Sequence, residues 1–396
     1  MTARISFLPV DNGDMTLIRF ADEPSTTLLI DIRIRASANK ASEETRDVAD
    51  DLKNRLNTDG NNRPYVDAFL LTHPDQDHCL GLQNHFWLGS YEDYPDDKKP
   101  QNEKRIIIRE MWSSPMIFRR KSKNHTLCAD ALAWKKEARR RVNKWKKDGY
   151  FSECERIKVL GEDVNGKTDE LEAILVKTGE SFNSINGEET SLFSAFLIAP
   201  SAPQDDETEN DLSKNESSTI ISFTISADEN GLFKYKFLSC GDAGVLIWER
   251  IWDKYAHNPE PLEYDMMLSP HHCSWRSLSW NSWSDYKENA KVSDKAKKAL
   301  GQAKMNAFII SSSKAIEDNE DNPPCIGAKK EYNSILRGKN GMFMCTGETP
   351  SQDSPKPLEF EISCSGIKRV VVRTATATTA ASLLGAAAPR AGAIND

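Results

Sequence analysis

An α/β fold is the reading of this 396-residue chain, and three observations lead to it. Short apolar or β-branched runs divided by turn residues fill the N-terminal third. A run with apolar positions four apart follows them. A further apolar run then leads straight into a loop dense in His and Asp. Strand, helix, strand and polar loop is the alternation that builds open sheets, which keep their chemistry at the carboxyl ends of strands.

The elements follow in order. Arg4 to Val10, Met15 to Phe20 and Thr27 to Ile34 read as strands, separated at Asn12-Gly13-Asp14 and Asp22-Glu23-Pro24. Val48, Leu52 and Leu56 give Ala41 to Leu56 the spacing of an amphipathic helix, and Val66 to Leu71 is a short buried strand. Past Leu88 the chain becomes a charged loop, then a strand over Arg105 to Arg109. A basic helix is expected at about Ala131 to Lys147, with eight Lys or Arg and one acid, Glu137. Its Trp134, Ala138, Val142 and Trp145 share a packing face, so the basic face is expected either to meet solvent or to line a groove for a polyanion. Pro203 to Glu216 is an acidic loop. Strands are expected again at Ser218 to Ile225, Phe233 to Ser239, Tyr264 to Leu268 and Ala307 to Ser311, with closing strands in Leu358 to Arg373. No fixed-period repeat occurs. The division that results is one domain over residues 1–373, with a basic helical insertion at about 112–150 and a low-complexity tail over 374–396.

Composition narrows the class. A hydrophobic content of 38% suffices for a sizeable core, and a net charge of −8 excludes a globally basic nucleic-acid binder. Contact with a polyanion therefore requires a local basic patch or a metal. No run approaches the ~18–20 apolar residues of a membrane span, and no basic-then-apolar leader opens the chain, so a soluble cytoplasmic protein without membrane contact is expected. Eight Cys without CxxC spacing read as free, mostly buried thiols, those beside motif residues (Cys79, Cys240, Cys273) included.

The chemistry concentrates in Thr72-His73-Pro74-Asp75-Gln76-Asp77-His78. Two His and two Asp directly after a buried strand put four nitrogen and oxygen ligands on one tight loop, a mixture that suits Zn²⁺, Mn²⁺ or Fe better than Ca²⁺. Two further pieces end later strands: Ser239-Cys240-Gly241-Asp242, and Ser269-Pro270-His271-His272-Cys273-Ser274. Each is weak alone. Ordered as HxDxDH, then GD, then HH, they form a set. Trp112 to Pro115 with Arg119 and Arg120, and Lys314, are minor candidates for a substrate phosphate; Asp14 and Asp31 read as supporting or turn-capping carboxylates.

With these residues the sequence resembles the metallo-β-lactamase-fold hydrolases, closest to the branch that includes the C-terminal domain of competence-type DNA-uptake channel proteins. ISFLPVDNGDMTLIRF is similar to that branch's opening strand pair with its V-x-x-G-D turn (Val10, Gly13, Asp14), and LLIDIR to its second strand ending at Asp31. VDAFLLTHPDQDHCLGL resembles the signature loop, SCGDAG and LSPHHCS the later Asp and His motifs, and NAFIISSSK the penultimate strand. The match spans roughly residues 4 to 315. It departs from the family in lacking the third-motif His, where Asn215-Glu216-Ser217-Ser218 resembles the Asn-x-x-Ser of the branch. Cys273 stands where Gly is usual, and Asn322-Pro323-Pro324 where His-Pro is.

The resemblance implies a four-layer αβ/βα sandwich with two divalent metal ions, Zn²⁺ or Mn²⁺. His73 and Asp75 would hold one metal and Asp77 and His78 the other, with Asp242 bridging. One of His271 and His272 would complete the second site, His272 being favoured, and the other would face the substrate as an acid; Asp77 and His271 are the residues expected to take part in catalysis. A carboxylate-rich site favours phosphate esters, so the expected activity is a phosphodiesterase or nuclease with a nucleic-acid or nucleotide substrate. Two alternatives stand beside it: hydrolysis of a thioester, lactone or peptide-like conjugate on the same metals, and a non-catalytic binding member of a multi-protein system.

Overall fold

The computed structural model describes residues 1–39, 45–119, 126–202, 212–319 and 321–371, so the 374–396 tail lies outside the described residues. The chain opens with β1 (Ala3–Phe7), β2 (Thr16–Arg19), β3 (Thr27–Ile30) and β4 (Ile32–Arg33). The expected Thr27 to Ile34 strand breaks at Asp31, whose φ of 52° turns the backbone out of the extended region. Helix α1 (Val48–Lys53) is shorter than Ala41 to Leu56; Asp47 caps it by accepting from the Ala49 and Asp50 amides. Next come β5 (Asn57–Thr58), β6 (Pro64–Leu71), α2 (Gln76–Cys79), α3 (Leu82–His85), β7 (Phe86–Trp87), β8 (Ile106–Ser113), α4 (Ala129–Asp148), β9 (Arg156–Leu160) and β10 (Leu175–Val176).

The second half supplies β11 (Ser181–Phe182), the small β12 (Ser184–Ile185) and β13 (Glu188–Glu189) hairpin, β14 (Phe193–Ala199), β15 (Ile220–Ser226) and β16 (Lys234–Ser239). It continues through α5 (Val245–Tyr255), β17 (Tyr264–Leu268), α6 (Trp283–Tyr286), α7 (Asp294–Leu300), β18 (Ala303–Ser311), α8 (Ile326–Leu336) and β19 (Met342–Cys345). β20 (Leu358–Ser363) returns to pair with β1 and β21 (Gly366–Arg369) pairs with β20 at the sheet's edge, within the stretch expected to hold closing strands.

Among the described residues these strands form two large mixed sheets. The first runs β10-β9-β8-β6-β3-β2-β1-β20-β21 and the second β11-β14-β15-β16-β17-β18-β19. Each is antiparallel on one side and parallel on the other, the change falling at β3–β6 in the first and at β16–β17 in the second. The sheets pack face to face through Phe7, Phe20, Trp112, Phe193, Phe223 and Phe237, with the Phe7 and Phe237 rings 5.9 Å apart. On the outer face of the first sheet lie α1 and α4, through Leu52 and Trp134; on that of the second lie α5, α7 and α8, through Trp248, Leu300 and Tyr332. The result is an α/β sandwich with its helices outside. No helix among the described residues is long and apolar enough to cross a membrane.

Helix α4 corrects the expectation of a wholly exposed basic face. Its stripe is placed as expected, Trp134 lying edge-on to Phe69 at 4.9 Å. Arg141, however, is buried: its guanidinium donates to Glu137 at 2.8 Å and to the Arg156 and Ile108 carbonyls at 2.9 and 3.0 Å. Arg140 and Lys144 meet Glu155, and Lys146 meets Glu170, so much of the helix's positive charge is taken up within the chain. Replacing Arg141 by Met takes a donor from the Arg156 and Ile108 carbonyls and removes one partner of Glu137. The expected loss is about 3 kcal/mol, read as a lower urea midpoint at unchanged slope.

Candidate metal centre

One edge of the sandwich gathers every chemistry-bearing motif. The β1–β2 turn brings Asp14, the end of β3 brings Asp31, and the end of β6 with α2 brings His73 to His78. From the second sheet, the residues after β16 bring Asp242 and those after β17 bring His271 and His272. The two sheets are tied here by the Thr219 amide, which donates to the Thr72 carbonyl at 2.9 Å. Ser312 Oγ donates to the Gly13 carbonyl at 2.6 Å and fixes the first turn to the end of β18.

Local backbone explains the aim of each side chain. A Cβ on Gly13 would meet Arg33 Cδ at 2.4 Å and the Asp77 carbonyl at 2.7 Å, so only Gly lets this turn lie over the metal loop. Gly241 has φ +52°, and a Cβ there would meet Ser218 at 2.8 Å. His271, His272 and Cys273 have φ of 50°, 52° and 66°, a left-handed run that turns both imidazoles toward Asp242. Cys273 thus adopts the conformation for which Gly is usual. The run is held by the His271 amide on the Gly241 carbonyl at 3.0 Å and the Cys325 amide on the Cys273 carbonyl at 3.0 Å. Asn322 Oδ1 accepts from Ser274 Oγ at 2.8 Å and the Trp275 amide at 3.0 Å.

Asp14, His78, Asp242 and His272 are buried and present one ligand atom each within 4.8 Å of one another, a cluster able to hold a metal ion. Its inner and outer sides are distinct. Asp31 accepts from the Thr72 amide and hydroxyl at 2.7 and 2.5 Å and lies 2.7 Å from His78 Nδ1. With Nδ1–H directed at Asp31, His78 Nε2 presents a lone pair to the centre. There it lies 3.1 Å from Asp242 Oδ1 and 3.2 Å from His272 Nε2. A lone pair facing a carboxylate at that distance is stable only with a proton or a cation between them. Asp14 lies behind His272, 3.4 Å from Nδ1, and is itself a member of the cluster, where the sequence reading had only a supporting or turn-capping carboxylate.

The other expected residues surround the same point. His73 Nε2 is buried without a hydrogen-bond partner, 3.6 Å from Asp242 Oδ2 and 3.8 Å from Asp75 Oδ2. Asp77 Oδ2 lies 3.4 Å from His272 Nε2, and its side chain is about one-third exposed. His271 Nε2 lies 3.7 Å from Asp242 Oδ2 and reaches an open cleft. Both histidines of the pair therefore face Asp242, with His272 buried and His271 on the open side.

The electrostatics describe a trap for positive charge. Burial opposes ionisation of Asp242, yet His272 and His78 outweigh it and hold its carboxyl well below the usual range. Burial likewise opposes protonation of His78 and His272, but Asp242, with Asp31 beside His78 and Asp14 beside His272, raises both. A metal ion entering such a cluster displaces protons. His271 behaves oppositely: burial lowers its pKa and favours the neutral ring.

Two features, the partner of Asp75 and a cleft, escaped the sequence reading, and a third gives the Asn215 to Ser218 stretch singled out there a structural place. Lys214, in the stretch expected as an acidic loop, forms an ion pair with Asp75. Ser218 Oγ accepts from the Asp242 amide at 2.9 Å, so the Asn215 to Ser218 stretch braces the Gly-Asp turn. A cleft of about 580 Å³ opens from Asp242 and His271 and is walled by residues 276–284. The minor phosphate candidates lie elsewhere: Trp112 is in the core between the sheets, Arg119 pairs with Asp163 at 2.9 Å, and Lys314 pairs with Asp321. Arg120 lies outside the described residues. None of the described residues lining the cleft comes from α4, so the groove-lining role considered for the basic helix does not apply to it.

Asp31 supplies a direct test of this arrangement. Asp31→Ala removes the partner that orients His78 and is expected to lower metal affinity about 10- to 100-fold, measured by competition with a chromogenic chelator on folded protein.

No family model matches the chain, and no curated protein is significantly similar to it.

Proposed function

We propose that the chain is a metal-dependent hydrolase with the architecture of the metallo-β-lactamase-fold enzymes, and that it cleaves phosphodiesters. The observation that supports this reading is the convergence on Asp242. Its Oδ1 faces His78 while its Oδ2 faces His73, His271 and His272, the disposition of a carboxylate shared between two cations. On this reading His73 and Asp75 hold one Zn²⁺ or Mn²⁺ and Asp77, His78 and His272 the other. Divalent cations there bring the pKa of a bound water toward neutrality and polarise a phosphoryl oxygen. Asp31 and Asp14 keep the imidazoles oriented with Nε2 inward, and Thr72 keeps Asp31 in place. His271, neutral and facing the cleft, donates a ring N–H toward the substrate. Three carboxylates among the ligands make the centre hard, which favours phosphate esters over β-lactams.

The Lys214–Asp75 ion pair favours a second reading. In it an ammonium answers Asp75, a single cation occupies the Asp14–His78–Asp242–His272 cluster, and the chain binds a ligand in a larger assembly without turning it over.

Metal content per chain, measured on wild type and Asp242→Ala, separates the two. About two Zn or Mn per wild-type chain, falling sharply in the variant, together with bis(p-nitrophenyl) phosphate hydrolysis reduced at least about 100-fold by the substitution, is the expected result. One metal or fewer, with no turnover, leaves the binding reading.

A further inference from the structure

Three tryptophans lie within nine residues of the segment that walls the cleft, and two of them are ordinary core. Trp275 and Trp283 are 3% and 5% exposed and pack on each other with ring centroids 5.0 Å apart. Trp280, between them, is 62% exposed and lines the cleft that opens from Asp242 and His271. It is not turned outward by a loose loop. Its Nε1 donates to Glu249 at 3.0 Å, and Ser279 Oγ donates to the Lys291 carbonyl at 2.7 Å. Asn281 receives the Lys291 amide on Oδ1 at 2.9 Å and the Trp275 indole on its carbonyl at 3.0 Å. An indole fastened by its neighbours while most of its surface stays in water is a platform awaiting a flat apolar partner.

The rest of the cleft defines that partner. Arg276 is exposed on the same wall, with no side-chain hydrogen bond or ion pair to any described residue. Glu216, the nearby acid lining the cleft, is taken up by the amide and hydroxyl of Ser213. Asn215 Oδ1 is buried beside the cleft without a hydrogen-bond partner. A guanidinium suits a phosphate, an indole suits a base, and an amide oxygen suits an N–H or O–H donor between them. The volume, about 580 Å³, lies within the ~300–1,000 Å³ range of small-ligand sites.

We propose that this wall is a nucleotide subsite, in which Trp280 stacks on a base and Arg276 meets a phosphate, so that the substrate is a nucleotide or a nucleotide unit of a single strand. The proposal deepens the phosphodiesterase reading and rests on it for the place of the scissile phosphate.

The test is calorimetric titration of the Mn²⁺-treated full chain with thymidine 5′-monophosphate, thymidine and inorganic phosphate, for wild type, Trp280→Ala, Trp280→Phe and Arg276→Gln. Wild type is expected to bind the nucleotide about ten-fold or more tightly than phosphate. Trp280→Ala abolishes that margin with phosphate affinity kept, and Trp280→Phe restores most of it. Arg276→Gln weakens nucleotide and phosphate together and leaves thymidine unchanged. Equal affinity of wild type for nucleotide and phosphate, no binding of nucleotide or thymidine, or a margin that survives Trp280→Ala overturns the subsite. Failure of the metal-centre reading looks different: the chain retains no metal and phosphate binding does not respond to Mn²⁺, while a Trp280-dependent margin for the nucleotide still supports the subsite.

Discussion

The structure depends on a buried carboxylate–imidazole–carboxylate line, Asp31–His78–Asp242, that crosses from one sheet to the other. Asp31 belongs to the first sheet and is satisfied by Thr72 and His78; Asp242 belongs to the second and lacks a hydrogen bond to Oδ1. Burying two carboxylates this close together is costly unless positive charge lies between them. His78 and His272 can each supply one proton's worth, against the four carboxylates of Asp31, Asp242, Asp14 and Asp77 around the same point. The line also exists only while the sheets are pressed together at this edge. The aromatic layer of Phe7, Phe20, Phe193 and Phe237 between the sheets is therefore a condition of the site as well as part of the core.

Much of the centre was legible in sequence because its residues are chemically unusual and local. His73 to His78 occupy one loop, Gly241-Asp242 and His271-His272 each follow an apolar run, and strand ends are where open sheets present side chains. Strands rich in β-branched residues, such as Ile220–Ser226, were legible because that signal too is local. The elements that escaped are those whose pattern is set by tertiary context. Strand β14 and strand β19 take their place from the strands they pair with in the second sheet, and α5, α7 and α8 are short helices whose buried sides match the outer face of that sheet. The cleft escaped for a related reason. Trp275, Trp280 and Trp283 look alike in sequence, and only packing separates the two core rings from the exposed one.

Charge was legible in amount but not in destination. The basic run of α4 reads as a solvated face or a groove for a polyanion, yet Glu137, Glu155 and Glu170 engage Arg140, Arg141, Lys144 and Lys146. What matters for a substrate in a net-acidic chain is local field, since exposed charges more than ~10 Å apart are largely screened. Near the centre that field comes from Lys214 on Asp75 and Arg276 on the cleft wall, two cations on segments that a count of charged residues passes over.

Cys273 and Asn322 meet in one hydrogen-bonded corner beside the centre. A non-Gly residue in the left-handed region costs roughly 1–2 kcal/mol, and Cys273 follows two histidines already there. A run of this kind persists only where its surroundings over-determine it. Here the Cys273 carbonyl is engaged by the Cys325 amide, and Asn322 accepts from Ser274 and Trp275 immediately after the run. A His-Pro at the position of Asn322-Pro323 could not offer the amide oxygen that accepts both bonds. The strain of Cys273 beside the two imidazoles is thus followed at once by a backbone that Asn322 fixes at Ser274 and Trp275.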